Sequence, residues 1–211
     1  MIGAVLAGGE NRRIPVLKGF LNIEGRAIIE RTLATLSAVF DKVVISTNIP
    51  ERHFYLGVPL IGDIIKEKGP VIGMLSVLYA TGEEAVFFVA CDMPFVSGKL
   101  VRYMASVYER ERPKIEGQRS KAKGQNSIDA VVPVFEGKTE PLFGIYTRNA
   151  VCTMETMVRT GKRGLIYMLD NMNVRYIGDE EVRAMDPEGR SFVNVNTIED
   201  YERIGGKTCL V

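Results

Sequence analysis

The sequence predicts an α/β fold built on a mostly parallel sheet, and three features carry that reading. Short apolar runs such as Ile2–Ala7 and Ala85–Cys91 lack the alternation of a half-exposed strand and suit strands covered on both faces. Segments with apolar residues at helical spacing lie between them, the first running from Ala27 through Leu33 and Leu36 to Phe40. The order strand, loop, helix, strand makes a crossover whose right-handedness sets both strands parallel in one sheet. With 211 residues, 46% hydrophobic and 25% charged, the chain can bury a substantial core as one domain spanning residues 1–211.

The first run breaks into Gly8-Gly9-Glu10-Asn11-Arg12-Arg13 and reaches Lys18. Adjacent glycines remove the Cβ atoms that keep a ligand from backbone N–H groups, and the cations that follow can meet negative charge. The combination suggests a cradle for a nucleotide triphosphate. Its spacing is neither that of a P-loop nor the dinucleotide fingerprint, and Leu-Ala-Gly-Gly alone also fits a plain strand-to-helix turn.

Further along, Lys42–Ser46 reads as the second strand and Gly57–Asp63 as a third, with Pro59 suited to a sheet edge. Val71–Tyr79 reads as a buried helix. The strongest strand, Ala85–Cys91, runs into Asp92-Met93-Pro94, and Ser97 can cap a helix carrying Leu100, Val101, Met104 and Val107. Residues 110–127 turn basic and nearly devoid of apolar side chains, predicting a mobile loop that is either a solvated insertion or a flap over an anionic substrate. Asp129–Phe135, a turn at Glu136-Gly137-Lys138 and Glu140–Tyr146 are read as antiparallel strands or a short excursion from the sheet. Helices over Val151–Val158 and Gly164–Met172, a strand at Val174–Ile177 and a last helix opened by the capping box at Thr197 complete the chain.

Composition excludes several functions. The 27 basic and 26 acidic side chains leave a net charge of +1, so no global field draws the chain to nucleic acid. Cys91, Cys152 and Cys209 are odd in number and lack metal-ligand spacing, which argues against a disulfide framework or a structural zinc site. With no apolar run long enough for a signal peptide or a membrane span, the expected location is the cytoplasm. His53, the single histidine, lies in a polar connection with Pro50 and Arg52 and is read as a surface residue. Histidine-based catalysis and multi-histidine metal sites are therefore not expected.

Ligands of open α/β sheets sit beyond the carboxyl ends of the strands, so Gly8, Gly9, Asn48, Asp63 and Asp92 should share one crevice if their strands are neighbours. Phosphoryl chemistry needs cations, backbone donors and a carboxylate for Mg2+. Lys18 supplies a point charge and Asp92 the best placed metal carboxylate, although an aspartate there could also serve only as a turn or helix cap.

Leu6-Ala7-Gly8-Gly9-x-x-x-Arg13, Lys18, Asn48, Asp63, Gly69-Pro70-Val71-x-Gly73-Met74, Cys91-Asp92-Met93-Pro94 and Asn194-Val195-Asn196-Thr197 together resemble the molybdenum cofactor guanylyltransferases. The resemblance follows the same order along essentially the whole chain. It implies a Rossmann-like three-layer α/β/α fold of the nucleotide-diphospho-sugar transferase type. It also implies an enzyme joining GMP from Mg-GTP to the terminal phosphate of molybdopterin, with release of pyrophosphate. On that resemblance Leu6, Ala7, Gly8, Gly9 and Lys18 contact GTP, Asn48 and Asp63 lie near the guanosine, and Asp92 binds Mg2+. Arg13 and Lys18 neutralise developing charge, while Asn194 and Asn196 face the pterin. A GTP-binding accessory protein and acceptor molybdenum enzymes are candidate partners; nucleic acid and membrane are not. The loop departs from the family at Pro15, where a glycine is usual, and at Leu17, where an aspartate often stands. The alternatives are cytidylyl transfer to the same pterin, transfer to a sugar phosphate, or a nucleotide-binding regulator that has lost turnover.

Overall fold

The computed structural model describes residues 1–8, 18–112 and 127–206. The expectations for Gly9, Arg13, Pro15, Leu17, Cys209 and most of the basic 110–127 segment fall outside these residues.

In chain order, β1 (Ile2–Leu6) is followed by a 3-10 turn at Lys18–Phe20 and a hairpin of β2 (Asn22–Ile23) and β3 (Arg26–Ala27). Then come α1 (Ile28–Ser37), β4 (Val43–Ser46), β5 (Leu60–Ile61), α2 (Pro70–Thr81), β6 (Ala85–Ala90) and α3 (Gly98–Glu111). The second half holds β7 (Ala130–Phe135), β8 (Lys138–Thr139), β9 (Phe143–Thr147), α4 (Ala150–Thr160), α5 (Leu165–Asp170), β10 (Val174–Ile177), α6 (Asp179–Met185) and α7 (Ile198–Arg203).

The main sheet runs β10-β7-β9-β6-β1-β4-β5, with β8 paired to β7. β1 lies parallel between β4 and β6, β4 is parallel to β5, and β7 to β10. β9 alone on this path is reversed, antiparallel to both β6 and β7. The segment Glu140–Tyr146 thus enters the sheet between two strands that precede it, and Glu136-Gly137-Lys138 turns β7 into β8.

Every residue of β1, β4 and β6 is buried, which is why their sequences do not alternate. Alternate side chains still go to opposite faces. Val5, Ile45, Phe87 and Val89 pack with Leu33, Leu100 and Met104 on the α1–α3 side. Ala4, Val44, Val86 and Phe88 pack with Met74, Tyr146 and Met154 on the α2–α4 side. The result is three layers with the sheet in the middle.

Some boundaries differ from expectation. The third strand shrinks to Leu60–Ile61 because Gly57, at φ 69°, closes a 3-10 turn just before it; Pro59 does lie on the edge strand's approach, where its carbonyl accepts from Ile45 N. The stretch expected to loosen at residue 110 stays helical to Glu111. His53 is a correction: it is buried, 3% exposed, not at the surface. Two 3-10 turns, Pro50–Arg52 and Phe54–Leu56, fold the polar connection back over the end of β4, and His53 stands at their junction. Its Nδ1 lies 3.0 Å from the Ile49 carbonyl and 3.3 Å from Thr47 Oγ1, and its ring packs against Phe20 at 5.2 Å. Among the described residues no helix is long and apolar enough to cross a membrane.

The far edge of the sheet is tied down by charge. Arg175 of β10 pairs with Glu181 of α6 at 2.8 Å and Glu111 of α3 at 3.1 Å, and Tyr103 donates to Glu181 at 2.7 Å. Partial burial opposes ionisation of Glu181, but the Arg175 guanidinium, the Tyr103 hydroxyl and the Gly178 N–H together hold its carboxyl down at about 2. A folded-state value below that of the unfolded chain gives stability that is present above the ordinary carboxylate range and disappears as pH falls through it toward the folded value. The stability gap between the native chain and Glu181→Gln, read from urea midpoints, should therefore be widest near neutrality and shrink as pH falls from about 4.5 to about 2. A gap that does not change over this window would show that the network does not act through the Glu181 charge.

Candidate active site

The carboxyl ends of β6, β1, β4 and β5 stand side by side, and main-chain bonding continues past the strands. Cys91 N donates to Leu6 O at 3.1 Å, Ala7 N to Ser46 O at 2.8 Å and Thr47 N to Ile61 O at 2.8 Å. The residues that follow, Asp92, Gly8, Asn48 and Asp63, are thereby held in a row along one rim.

They form two polar groups. In the first, Lys18 Nζ lies 3.1 Å from Asp92 Oδ2 and donates to Asn196 Oδ1 at 2.7 Å; the Lys18 and Asp92 side chains are each 20% exposed. Asn196 reaches this point because Val195 N donates to the Asp92 carbonyl at 3.0 Å. The capping box at Thr197 fixes the next step: Asp200 Oδ2 accepts from the N–H groups of Asn196 and Thr197 at 3.0 Å, while Thr197 Oγ1 accepts from Asp200 N at 3.1 Å. These contacts, the Asn196 N–H first, hold the Asp200 carboxyl below its usual range.

In the second group, Asn48 Nδ2 donates to Asp63 Oδ2 at 2.6 Å and Asp63 N donates to Asn48 Oδ1 at 2.8 Å. Asn194 joins neither group, since its amide donates to the Phe192 carbonyl at 3.2 Å. Of the sequence-derived residues, the structure therefore unites Lys18, Asp92 and Asn196, pairs Asn48 with Asp63, and ties Asn194 back to its own backbone. Leu6 and Ala7 are buried beneath the rim and Gly8 is exposed on it, with no atom of the described residues within 4 Å of where a Cβ would stand.

Gly73 gains a reason that spacing alone does not supply. A Cβ there would meet Ser46 Oγ at 2.8 Å, with Leu6 Cδ2 at 3.4 Å and Asp63 Oδ1 at 3.7 Å. Only glycine lets α2 rest directly on the ends of β1 and β4. Ser76, one turn on, accepts from Ile64 N at 3.0 Å and so fixes the connection that follows Asp63.

The chemistry on offer is electrostatic. Lys18 is a compact cation that engages Asp92 through Oδ2, and Asp92 Oδ1 has no hydrogen-bond donor among the described residues. No group of three or more potential metal-ligating side chains occurs among the described residues. A hard divalent cation that takes one or two protein carboxylates and completes its shell with phosphate oxygens and water needs no such group. Cys91 beside Asp92 is not a nucleophile, because burial, reinforced by the Asp92 charge, pushes its thiol up to about 12.

An exposed glycine at the end of β1, a lysine and a carboxylate on one rim, and a mostly parallel sheet that delivers them accord with a nucleotidyltransferase. More narrowly, the chain belongs to the family with a MobA-like NTP transferase domain, whose model matches residues 3–175. It is 34% identical over 199 residues to a protein of Peptoclostridium acidaminophilum named probable molybdenum cofactor guanylyltransferase, covering 94% of this chain and 86% of that one. The molybdenum cofactor guanylyltransferase of Desulfosudis oleivorans is 30% identical over 202 residues, covering 95% and 92%. Among solved structures, the molybdopterin-guanine dinucleotide biosynthesis protein A of Archaeoglobus fulgidus superposes with a TM-score of 0.79 at 27% identity, covering 97% of this chain and 96% of that one.

Gly73→Ala should destabilise the fold by about 1–3 kcal/mol, the usual range for overpacking, and lower nucleotidyl transfer as α2 is pushed off the rim. Adding Ser46→Gly should restore part of both in thermal denaturation and turnover assays. Unchanged stability and turnover in the single variant would dismiss the close approach as unimportant.

Proposed function

We propose that the chain transfers GMP from GTP to the terminal phosphate of molybdopterin and releases pyrophosphate. The observation that carries this reading is the meeting of Lys18, Asp92 and Asn196 at the end of β6, next to the open backbone of Gly8. A loop cation, a metal carboxylate and a residue of the late Asn-Val-Asn-Thr motif then face the same point.

In this reading Leu6, Ala7, Gly8 and Gly9 line the triphosphate, and Lys18 exchanges Asp92 and Asn196 for phosphate oxygens when GTP enters. Asp92 would hold Mg2+, which when bound neutralises charge on the phosphates. Asn48 and Asp63, locked together, present a fixed edge to the guanosine. Asn196 and Asn194 bind the pterin, Asn194 after leaving the Phe192 carbonyl. Arg13 joins Lys18 in stabilising the charge that develops in the transition state.

No strong general base is required, because the attacking phosphate oxygen is already ionised near neutral pH. Catalysis is then alignment for in-line attack together with charge neutralisation.

A nucleotide panel with Mg2+ and molybdopterin tests the assignment directly. Pyrophosphate release is expected with GTP; release with CTP but not GTP would instead make the chain a cytidylyltransferase, and GTP-dependent thermal stabilisation without release would make it a regulator. Asp92→Ala should abolish transfer with the fold intact by circular dichroism. Lys18→Ala should lower kcat/KM by about 100- to 1,000-fold, the scale measured when one transition-state donor is removed. Full turnover in either variant would remove that residue from its role.

A further inference from the structure

A groove of about 640 Å³ between α1, the Pro94–Val96 segment and the turn at Arg190 takes no part in the reaction above. Three arginines, Arg26, Arg31 and Arg190, line it in a chain whose net charge is only +1. The Arg190 guanidinium carbon sits 4.2 Å from the centre of the Phe95 ring, a stack that fixes the plane of the fork and leaves its N–H edge open to an anion.

The arginines keep donors beyond those that their internal partners take up. Arg26 makes no side-chain hydrogen bond or ion pair among the described residues. Arg31 uses one nitrogen, Nη1, for its internal partners, the Ile23 carbonyl at 3.3 Å and Glu24 at 3.1 Å, and the Glu24 side chain is 76% exposed on the hairpin tip and so is readily displaced. The acid in the lining, Asp186, is already engaged: its two oxygens accept from Arg190 N at 3.2 Å and Ser191 N at 2.8 Å.

We propose that this groove docks an acidic segment of a partner protein, its carboxylates meeting the three arginines and an apolar side chain resting on Pro94, Phe95 and Val96. Charge complementarity selects an anion, and the lining selects a peptide. A phosphate site typically uses glycines and converging main-chain N–H groups, whereas this lining contains no glycine and alternates guanidinium forks with apolar walls. Arginine and aromatic side chains in one depression are also the types that dominate binding at protein interfaces.

Both walls lead into the candidate active site: Pro94 follows Asp92 by two residues, and the Arg190 turn continues into Asn194–Asn196. A docked partner would lie beside the place where product forms. Binding is read independently of turnover, so the proposal stands or falls apart from the assignment of GMP transfer.

The test is fluorescence anisotropy with a labelled peptide of alternating glutamate and leucine, its glutamine counterpart, and inorganic pyrophosphate as competitor. The glutamate peptide should bind and weaken with added salt, and the Arg26→Ser/Arg190→Ser double variant should raise its Kd by about tenfold or more. That variant should keep its melting temperature and its transfer rate. The Arg148→Ser/Arg159→Ser control, on the α2–α4 side, should bind the peptide as the native chain does. Absence of binding, equal binding of the glutamine peptide, or an unchanged Kd in the double variant would overturn the proposal. Full displacement by pyrophosphate at comparable concentration would also overturn it, and would give the groove to a small phosphate instead.

Discussion

The hydrogen bond from Val195 N to the Asp92 carbonyl, 3.0 Å long, joins the carboxyl-terminal segment to the end of β6, and the candidate site depends on it. Val195 is fully buried with Leu21, Ile23, Ile28 and Tyr201. The same cluster holds the turn that carries Lys18, through Leu21 N to Lys18 O at 3.2 Å and Tyr201 Oη to the Asn22 carbonyl at 2.5 Å. A small apolar cluster thus fixes two chain segments far apart in sequence, and Lys18, Asp92 and Asn196 meet as a consequence. Releasing Val195 would free Asn196 and loosen the Lys18 turn together.

The contacts within the site suit exchange. Lys18 and Asp92 are both partly open to water, and ion pairs in such settings contribute little net stability because solvent competes for each partner. In the proposed reading a triphosphate therefore replaces Asp92 on Lys18 at small cost and leaves the carboxylate for a cation. The Asn48–Asp63 pair is of a different kind. Its two hydrogen bonds are reciprocal and one involves the main chain, so it behaves as a rigid edge. One half of the rim can exchange partners while the other stays fixed.

Sequence reading reached the parts of this arrangement that rest on local physics. β1 and β6 were readable because burial on both faces leaves an unbroken apolar run, and the α7 start because Thr197 and Asp200 carry a capping pattern. It failed where the cause is tertiary. α6 has a single buried residue, Val182, so it sends no apolar period, only acids in its first turn. The insertion of β9 between β6 and β7 is a non-local pairing that no local pattern encodes. His53 reads as exposed from its polar neighbours, but the two 3-10 turns, which bury no residue of their own, meet at this position and turn its single ring inward against Phe20. The separation of Asn194 from Asn196 likewise follows from a side-chain bond to Phe192 that the motif does not reveal.

The groups around the rim also constrain the route that a transfer can take. A double displacement needs a protein nucleophile within reach of the phosphate. Cys91 is the thiol beside Asp92, and burial with the adjacent carboxylate keeps it protonated. His53, the only imidazole in the chain, is enclosed against Phe20, Thr47 and the Ile49 carbonyl. With the thiol protonated and the imidazole enclosed, neither group offers a thiolate or a free imidazole to the described rim, in keeping with the proposed in-line attack by the acceptor's own phosphate. The protein's task is then to hold two anions close enough to react. Cations and fixed donors gathered at the ends of parallel strands are suited to that task.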